Sequence, residues 1–141
     1  MGLQLSKHSQ KTLCTISATG AVGSTNVGQT AISRPDNGME LVCDLTAAAT
    51  AAGDTLDVKV QTNLCGIWTD VAYFAQMLGN GGTKRFAAKL IGQTAFTLGD
   101  IAAALTAGTQ RNLIGDEWRV NYVVVNGTTA AFTFSVYAIP F

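Results

Sequence analysis

His8 is the one histidine in this 141-residue chain, and that limits the catalysis the chain could carry out. A Ser-His-Asp or Cys-His arrangement needs an imidazole held within hydrogen-bond reach of its nucleophile. His8 stands in residues 1–10, which read as an N-terminal arm, and a terminal arm is a poor mount for a catalytic base. Paired carboxylates could make a glycosidase, and the closest pairs are Asp54 with Asp57 and Asp116 with Glu117. Adjacent residues on a strand point to opposite faces, so Asp116 and Glu117 diverge; turns and a solvated strand face account for all four. "LGNGGTK" (78–84) invites a phosphate-loop reading. It lacks the Gly-Lys-[Ser/Thr] ending, however, and Lys84 stands where a dinucleotide fingerprint needs its third Gly. A hairpin loop is the reading that fits.

Cys14, Cys43 and Cys65 are odd in number and widely spaced, with no Cys-x-x-Cys, so neither a zinc site nor a thioredoxin-like motif is formed. Each sits among apolar or Thr neighbours and reads as a small core hydrophobe. Asn126-Gly127-Thr128 matches a glycosylation acceptor but reads as a tight turn. Trp68, Tyr73 or Tyr137 could form an aromatic ledge for sugar, although Trp68 and Trp118 read first as core. The expectation is a non-enzymatic protein with no metal and no cofactor.

The composition says more about surfaces than about sites. Charged residues make up 13% of the chain, about half the ordinary ~25%, and nine basic residues balance nine acidic ones. A free monomer normally keeps a charged surface and a net charge away from zero. Charge is depleted at interface cores, so a low-charge exterior points to assembly with other protein. Zero net charge argues against nucleic acid, whose phosphates need a basic excess; Lys84, Arg85 and Lys89 are the only basic cluster. No apolar run of signal-peptide length follows Met1, where Lys7, His8 and Lys11 interrupt the first segment. No run of ~18 apolar residues is long enough to span a bilayer. The expectation is a protein made in a cytoplasm, with no membrane partner.

The elements available to position anything are strands. The dominant period is two, clearest in "TLDVKVQTN" (55–63), where Leu56, Val58 and Val60 oppose Asp57, Lys59 and Gln61. That is the signature of a half-solvated antiparallel strand. "TLCTISAT" (12–19), "TNVGQTAIS" (25–33), "MELVCDL" (39–45), "GIWTDVAYFAQM" (66–77) and "TKRFAAKLI" (83–91) read as further strands. In residues 66–77, Trp68, Val71 and Phe74 break the alternation and call for a bulge. "TAAATAAGD" (46–54) reads as a loop or frayed turn. "LGDIAAALTAGTQ" (98–110) is the one helical candidate, with Asp100 as N-cap and Gly108 at the C-terminus; an ordered loop is the alternative. "EWRVNYVVVNGTTAAFTFSVYAIPF" reads as a closing hairpin turning at Asn126-Gly127. About eight strands with at most one short helix give an all-β fold: an antiparallel β-sandwich of jelly-roll type, one domain over residues 11–141 behind the arm.

Two stretches carry a family resemblance. "TLDVKVQTNLCGIWTDVAYFAQMLGNGGTKRFAAKL" has a strand ending in Gln-Thr, a short turn, Trp-Thr-Asp-Val-Ala-Tyr-Phe and a Gly-rich hairpin. With "LIGDEWRVNYVVVNGTTAAFTFSVYAI" it resembles the head-decoration, or capsid cement, β-sandwich proteins of tailed bacteriophages over residues 38–139. Many members carry an Asp-Gly turn before the Trp. Here Leu64-Cys65-Gly66 keeps the Gly and loses the acid, and with it any cation or hydrogen-bond role at that point. The resemblance implies a homo-oligomer, dimer or trimer, that clamps the major capsid protein on the virion surface after synthesis in the host cytoplasm. A tail or baseplate module, with a carbohydrate-binding role, is the alternative.

The family transfers no residue-level site. The residues themselves suggest where a partner would touch: Leu3, Leu5, Lys7 and His8 in the arm, and Ile139, Pro140 and Phe141 in the tail. Both segments carry large apolar residues that a free terminus would have little use for. Pro140 cannot donate to a ladder, so the last strand is expected to stop there. Phe141 then either reaches a partner or folds back onto its own sandwich.

Overall fold

The computed structural model describes residues 9–33, 35–92, 99–126 and 130–141. The first half of the chain supplies β1 (Lys11–Thr19), β2 (Val22–Ala31), β3 (Gly38–Ala47), β4 (Thr55–Leu64) and β5 (Ile67–Tyr73). The second supplies β6 (Met77–Leu78), β7 (Lys84–Ile91), β8 (Thr109–Gln110), β9 (Glu117–Val125) and β10 (Ala131–Pro140), with a 3₁₀ turn at Gly79–Gly81 before β7. β6 and β8 are two residues each, which leaves eight full strands. They form two antiparallel sheets, ordered β1-β10-β3-β7 and β2-β9-β4-β5-β8, with β6 beside β4. This is the two-sheet sandwich that the period-two pattern predicts.

Alternation sets what each sheet hides. In β4 the even positions, Leu56 to Thr62, are buried and the odd ones, Asp57 to Gln61, half-buried; β9 repeats this with Trp118, Val120, Tyr122 and Val124 inside. From the other sheet, Leu41, Cys43, Leu45, Phe132, Phe134 and Val136 meet them in one core. Tyr122 and Phe134 pack edge to face across it, with centroids 5.5 Å apart. In β5 the register slips between its pairings with Val60 and Gln61, so Val71 is the extra residue of the expected bulge. The slip lets Trp68, Asp70 and Tyr73 share the outer face while Val71 and Ala72 stay inside.

Four crossings at one end carry the chain between sheets: β1 to β2, β3 to β4, β6 to β7 and β9 to β10. Gly20 N donates to Ala130 O at 2.8 Å, and Asn126 Nδ2 to Gly53 O at 2.9 Å, so the crossings brace each other. The expected closing hairpin is therefore corrected. β9 pairs with β2 and β4, while β10 pairs with β1 and β3. Asn-Gly is a local turn signal and carries no information about which sheet the next strand joins; Gly127 itself lies outside the described residues. The two-residue turn with positive φ at both central positions occurs instead at Cys65 (φ 53°) and Gly66 (φ 85°), between Leu64 and Ile67 of β4 and β5. Cys65 is consequently exposed, not in the core as expected, whereas Cys14 and Cys43 are buried.

Residues 99–110 form no helix, so the ordered-loop alternative holds. Asp100 caps no helix; it accepts from Ala102 N at 2.9 Å in a local turn instead. A helix would need the carbonyls of Ile101 and Ala103 for i+4 amides, but the Arg111 guanidinium takes both, at 3.4 and 2.9 Å. Arg111 also donates to Asp70 O at 3.0 Å, and Gly108 N to Tyr73 O at 2.7 Å, which straps the loop along the edge of β5.

Candidate functional site

Because both sheets alternate, the sandwich presents two flat outer faces, and they differ in chemistry. On the four-stranded sheet, β1 contributes Thr12, Thr15 and Ser17, and β10 contributes Thr133, Ser135, Tyr137 and Ile139. Thr15 and Ser135 hydroxyls pair at 3.0 Å, Ser17 and Thr133 at 3.2 Å, and Thr46 Oγ1 donates to Thr133 O at 3.2 Å. Each of these pairs uses one of its two hydroxyl donors, so covering the face strands fewer donors than unpaired hydroxyls would. Among the described residues, charge on this face is confined to the β3-β7 side, where Glu40 lies opposite Lys89 and Asp44 opposite Arg85. Arg85 Nε reaches Asp44 Oδ1 at 3.3 Å, with Arg85 itself largely exposed.

The tail belongs to this sheet. β10 lies between β1 and β3, Pro140 is buried, and Ile139 and Phe141 are half-buried. β10 ends at Pro140 as expected, but Phe141 beyond it stays bonded to the neighbouring strand. Phe141 N donates to Gly38 O at 2.9 Å, and Asn37 N and Gly38 N donate to Phe141 O at 2.7 and 3.0 Å. The Phe141 ring lies beside Gly38, where a Cβ would come within 2.7 Å of it, and Lys89 Nζ sits 5.0 Å from its centroid. Phe141 thus folds back onto its own sandwich. Leu3, Leu5, Lys7 and His8 lie outside the described residues.

The six-stranded sheet carries a connected polar face. Tyr73 OH donates to Asp57 Oδ1 at 3.0 Å, and Gln76 Nε2 to Asp57 Oδ2 at 3.1 Å. Lys59 Nζ lies 4.7 Å from the Tyr73 centroid and 3.8 Å from Asp70 Oδ2. Asp70, only 9% exposed, also accepts from Leu105 N at 3.4 Å and from Gln61 Nε2 at 2.7 Å. Gln61 Oε1 in turn receives Arg119 Nε at 2.7 Å. The Arg119 guanidinium stacks 4.3 Å from the Trp68 centroid, so Trp68 belongs to the outer face, and only Trp118 fills the core as expected. Burial pushes the Tyr73 phenol above its ordinary value, helped by its hydrogen bond to Asp57. Burial pulls Arg119 below its usual value, with Asp70 opposing.

Sequence reasoning named Trp68, Tyr73 or Tyr137 as a ledge; the structure brings Trp68 and Tyr73 to one face and puts Tyr137 on the other sheet. It missed Arg119, Gln61 and Asp70. The signal was present in the odd positions of β4 and β9, but which odd positions meet depends on cross-strand register (Gln61 opposite Arg119) and on the β5 bulge. Among the described residues, no group of three or more His, Cys, Asp or Glu could hold a metal ion, and no helix is long and apolar enough to cross a membrane. Comparison with known proteins found no matching family model, no matching curated protein and no matching solved structure.

Proposed function

We propose that this chain is a non-enzymatic structural protein of a tailed-phage virion. It assembles as a homo-oligomer, binds the major capsid protein on the outer surface of the expanded head and stabilises the mature shell. The observation that carries this reading is the uncharged β1-β10 half of the four-stranded outer face, with its short and mutually bonded Thr and Ser side chains. Such side chains lose little rotamer entropy on docking. The charge-depleted character of an interface core appears here on a surface the isolated chain leaves open.

Size explains why an oligomer is part of the proposal. Four strands ~4.8 Å apart and ~9 residues long present roughly 600 Å², short of the ~800 Å² per partner of a standard interface. One copy alone therefore binds weakly, and linked copies gain by avidity. A protein that binds the expanded lattice and not its precursor shifts the equilibrium toward the expanded form by mass action. The test is co-sedimentation with expanded heads of the parent particle. Thr15→Arg, which places an unpaired charge at an exposed position on the neutral half of the face, should abolish attachment while the melting temperature stays within a few degrees. Full attachment of that variant would remove this face from the account.

A further inference from the structure

The four-stranded sheet ends on one side in an open edge. Its outermost strands are β1 and β7, and those of the six-stranded sheet are β2 and β8. β1 and β2 close against each other, so tightly that Leu13 O of β1 leaves no room for a Cβ on Gly28 of β2. β8 is two residues long and is bonded to β5. β7, eight residues long, is the one long edge left open among the described residues. Such an edge is a row of unpaired N–H and C=O groups, a ready template for another strand.

Register says which of those groups are free. In an antiparallel ladder the N–H and C=O of one residue point to the same side, and successive residues alternate. Lys89 O receives Gln110 Nε2 at 2.7 Å, and Ile91 N donates to Asn112 Oδ1 at 3.4 Å. The odd residues of β7 therefore turn their backbone away from β3, and two side chains already finish the end near Ile91. Nothing among the described residues takes the N–H and C=O of Arg85 and Ala87, or the N–H of Lys89. The inner face is unfinished at the same place. Phe86, Ala88 and Leu90 point between the sheets, yet Leu90 is fully buried while Phe86 and Ala88 are only half-buried. Beside them opens a cleft of about 230 Å³, lined also by Ala72, Phe74, Gly108 and Gln110. That is below the ~300–1,000 Å³ of a small-molecule site, and suits one apolar side chain.

We propose that the β7 edge takes an added strand: an extended segment of another protein, acidic on one face and apolar on the other. Main-chain bonds to Arg85, Ala87 and Lys89 supply the ladder, and alternate side chains supply the specificity. The period of two puts the apolar residues over the cleft and the acidic ones on the outer face, beside the exposed Arg85 and Lys89. On the other side of β7, Asp44 and Glu40 stand opposite those two cations, so an acidic strand continues the alternation of charge across the sheet. A second copy of this chain does not fit. Pairing two β7 strands antiparallel about Ala87 sets each Arg85 opposite a Lys89, and like charges directly opposite are destabilising. The inference rests on the sheet edge and not on the capsid reading.

The test is a titration of the full chain followed by NMR, with a capped peptide of about seven alternating Glu and Val residues as the probe. The peptide should bind saturably and slow hydrogen exchange at the Arg85, Ala87 and Lys89 amides. The amides of Phe86 and Ala88, already bonded to β3, should change little. The same peptide with Lys for Glu loses the charge match, and with every amide N-methylated it loses its donors; each should bind at least about ten-fold more weakly. Ala87→Pro removes only an outward N–H, which an edge strand tolerates. It should weaken the acidic peptide about ten-fold with a melting temperature near wild type, and the N-methylated peptide makes the same comparison on the unaltered chain. No saturable binding of the acidic peptide, equal binding of either control peptide, undiminished binding by a folded Ala87→Pro, or protection at other strands would each overturn the proposal. None of these outcomes bears on attachment through the β1-β10 half of the face.

Discussion

Deleting Phe141 tests whether the last residue is a working part of the sheet. The deletion removes the Phe141 N–H bond to Gly38 and the carbonyl that receives Asn37 N and Gly38 N. At a net ~0.5–1.5 kcal/mol each, three backbone bonds amount to about 1.5–4.5 kcal/mol. The half-buried ring beside Gly38 adds about 1 kcal/mol. The loss of roughly 2.5–5.5 kcal/mol lies below most of the ~5–15 kcal/mol range that holds a domain together, so the protein should still fold at 25 °C. At ~2–4 °C per kcal/mol for a chain of this size, its midpoint should fall by about 5–20 °C. Phe141→Ala keeps the backbone bonds and loses only the ring, so it should fall by only about 2–4 °C. Thermal unfolding followed by circular dichroism on the three proteins decides the matter. A deletion that melts with wild type, or an alanine variant as damaged as the deletion, would refute the reasoning.

Thr62 is fully buried, accepts from Gly115 N at 3.1 Å and donates to Glu117 O at 2.8 Å. Thr62→Val keeps its shape but strands both groups, and should cost about 1–3 kcal/mol in denaturant unfolding. Burial pushes the Cys14 thiol up to about 11 and the Cys43 thiol up to about 12, whereas Cys65 is exposed. A thiol reagent at pH 8 should therefore label one cysteine in the native protein and three after unfolding. Tyr73 is held protonated by burial and by Asp57, so its contribution is fully present below the unfolded value of ~10 and lost as pH rises through the folded one. Melting curves above pH 10 should show wild type losing more stability than Tyr73→Phe. Attachment to heads should change little between ~50 and ~500 mM salt, because screening weakens mainly exposed charge pairs, and a collapse at the higher salt would make the contact electrostatic.

Alternation made the layers legible. "TLDVKVQTN" and "EWRVNYVVV" assign each residue to a face correctly, and the broken period of residues 66–77 calls for a bulge that the structure locates at Val71. Partner choice between strands was not legible. Asn126-Gly127 looks like a hairpin and leads into a crossing between sheets, whereas Cys65-Gly66, the weaker signal, makes the tight turn. Turn propensity is local, while sheet membership is set by β1, β3 and β4 from far along the chain. The alanines of residues 102–104 favour helix in isolation, but one guanidinium, Arg111, outbids the helix for its carbonyls. Trp68 was placed in the core by residue type, and the register of β4 with β5 turns it outward beside Arg119. The arginine site needed three strands in register and could not be seen from spacing along any one of them.

The proposed attachment face is tested most directly by cryo-electron microscopy of the expanded heads this protein is proposed to bind, with and without it. The account predicts added density on the outside of the expanded shell that fits the two-sheet sandwich. In it, the face bearing Thr15, Ser135 and Tyr137 should be buried against the shell or a neighbouring copy, and the Arg119 face open to solvent. Heads that carry no such density, or a sandwich docked with that neutral face turned outward, would contradict it.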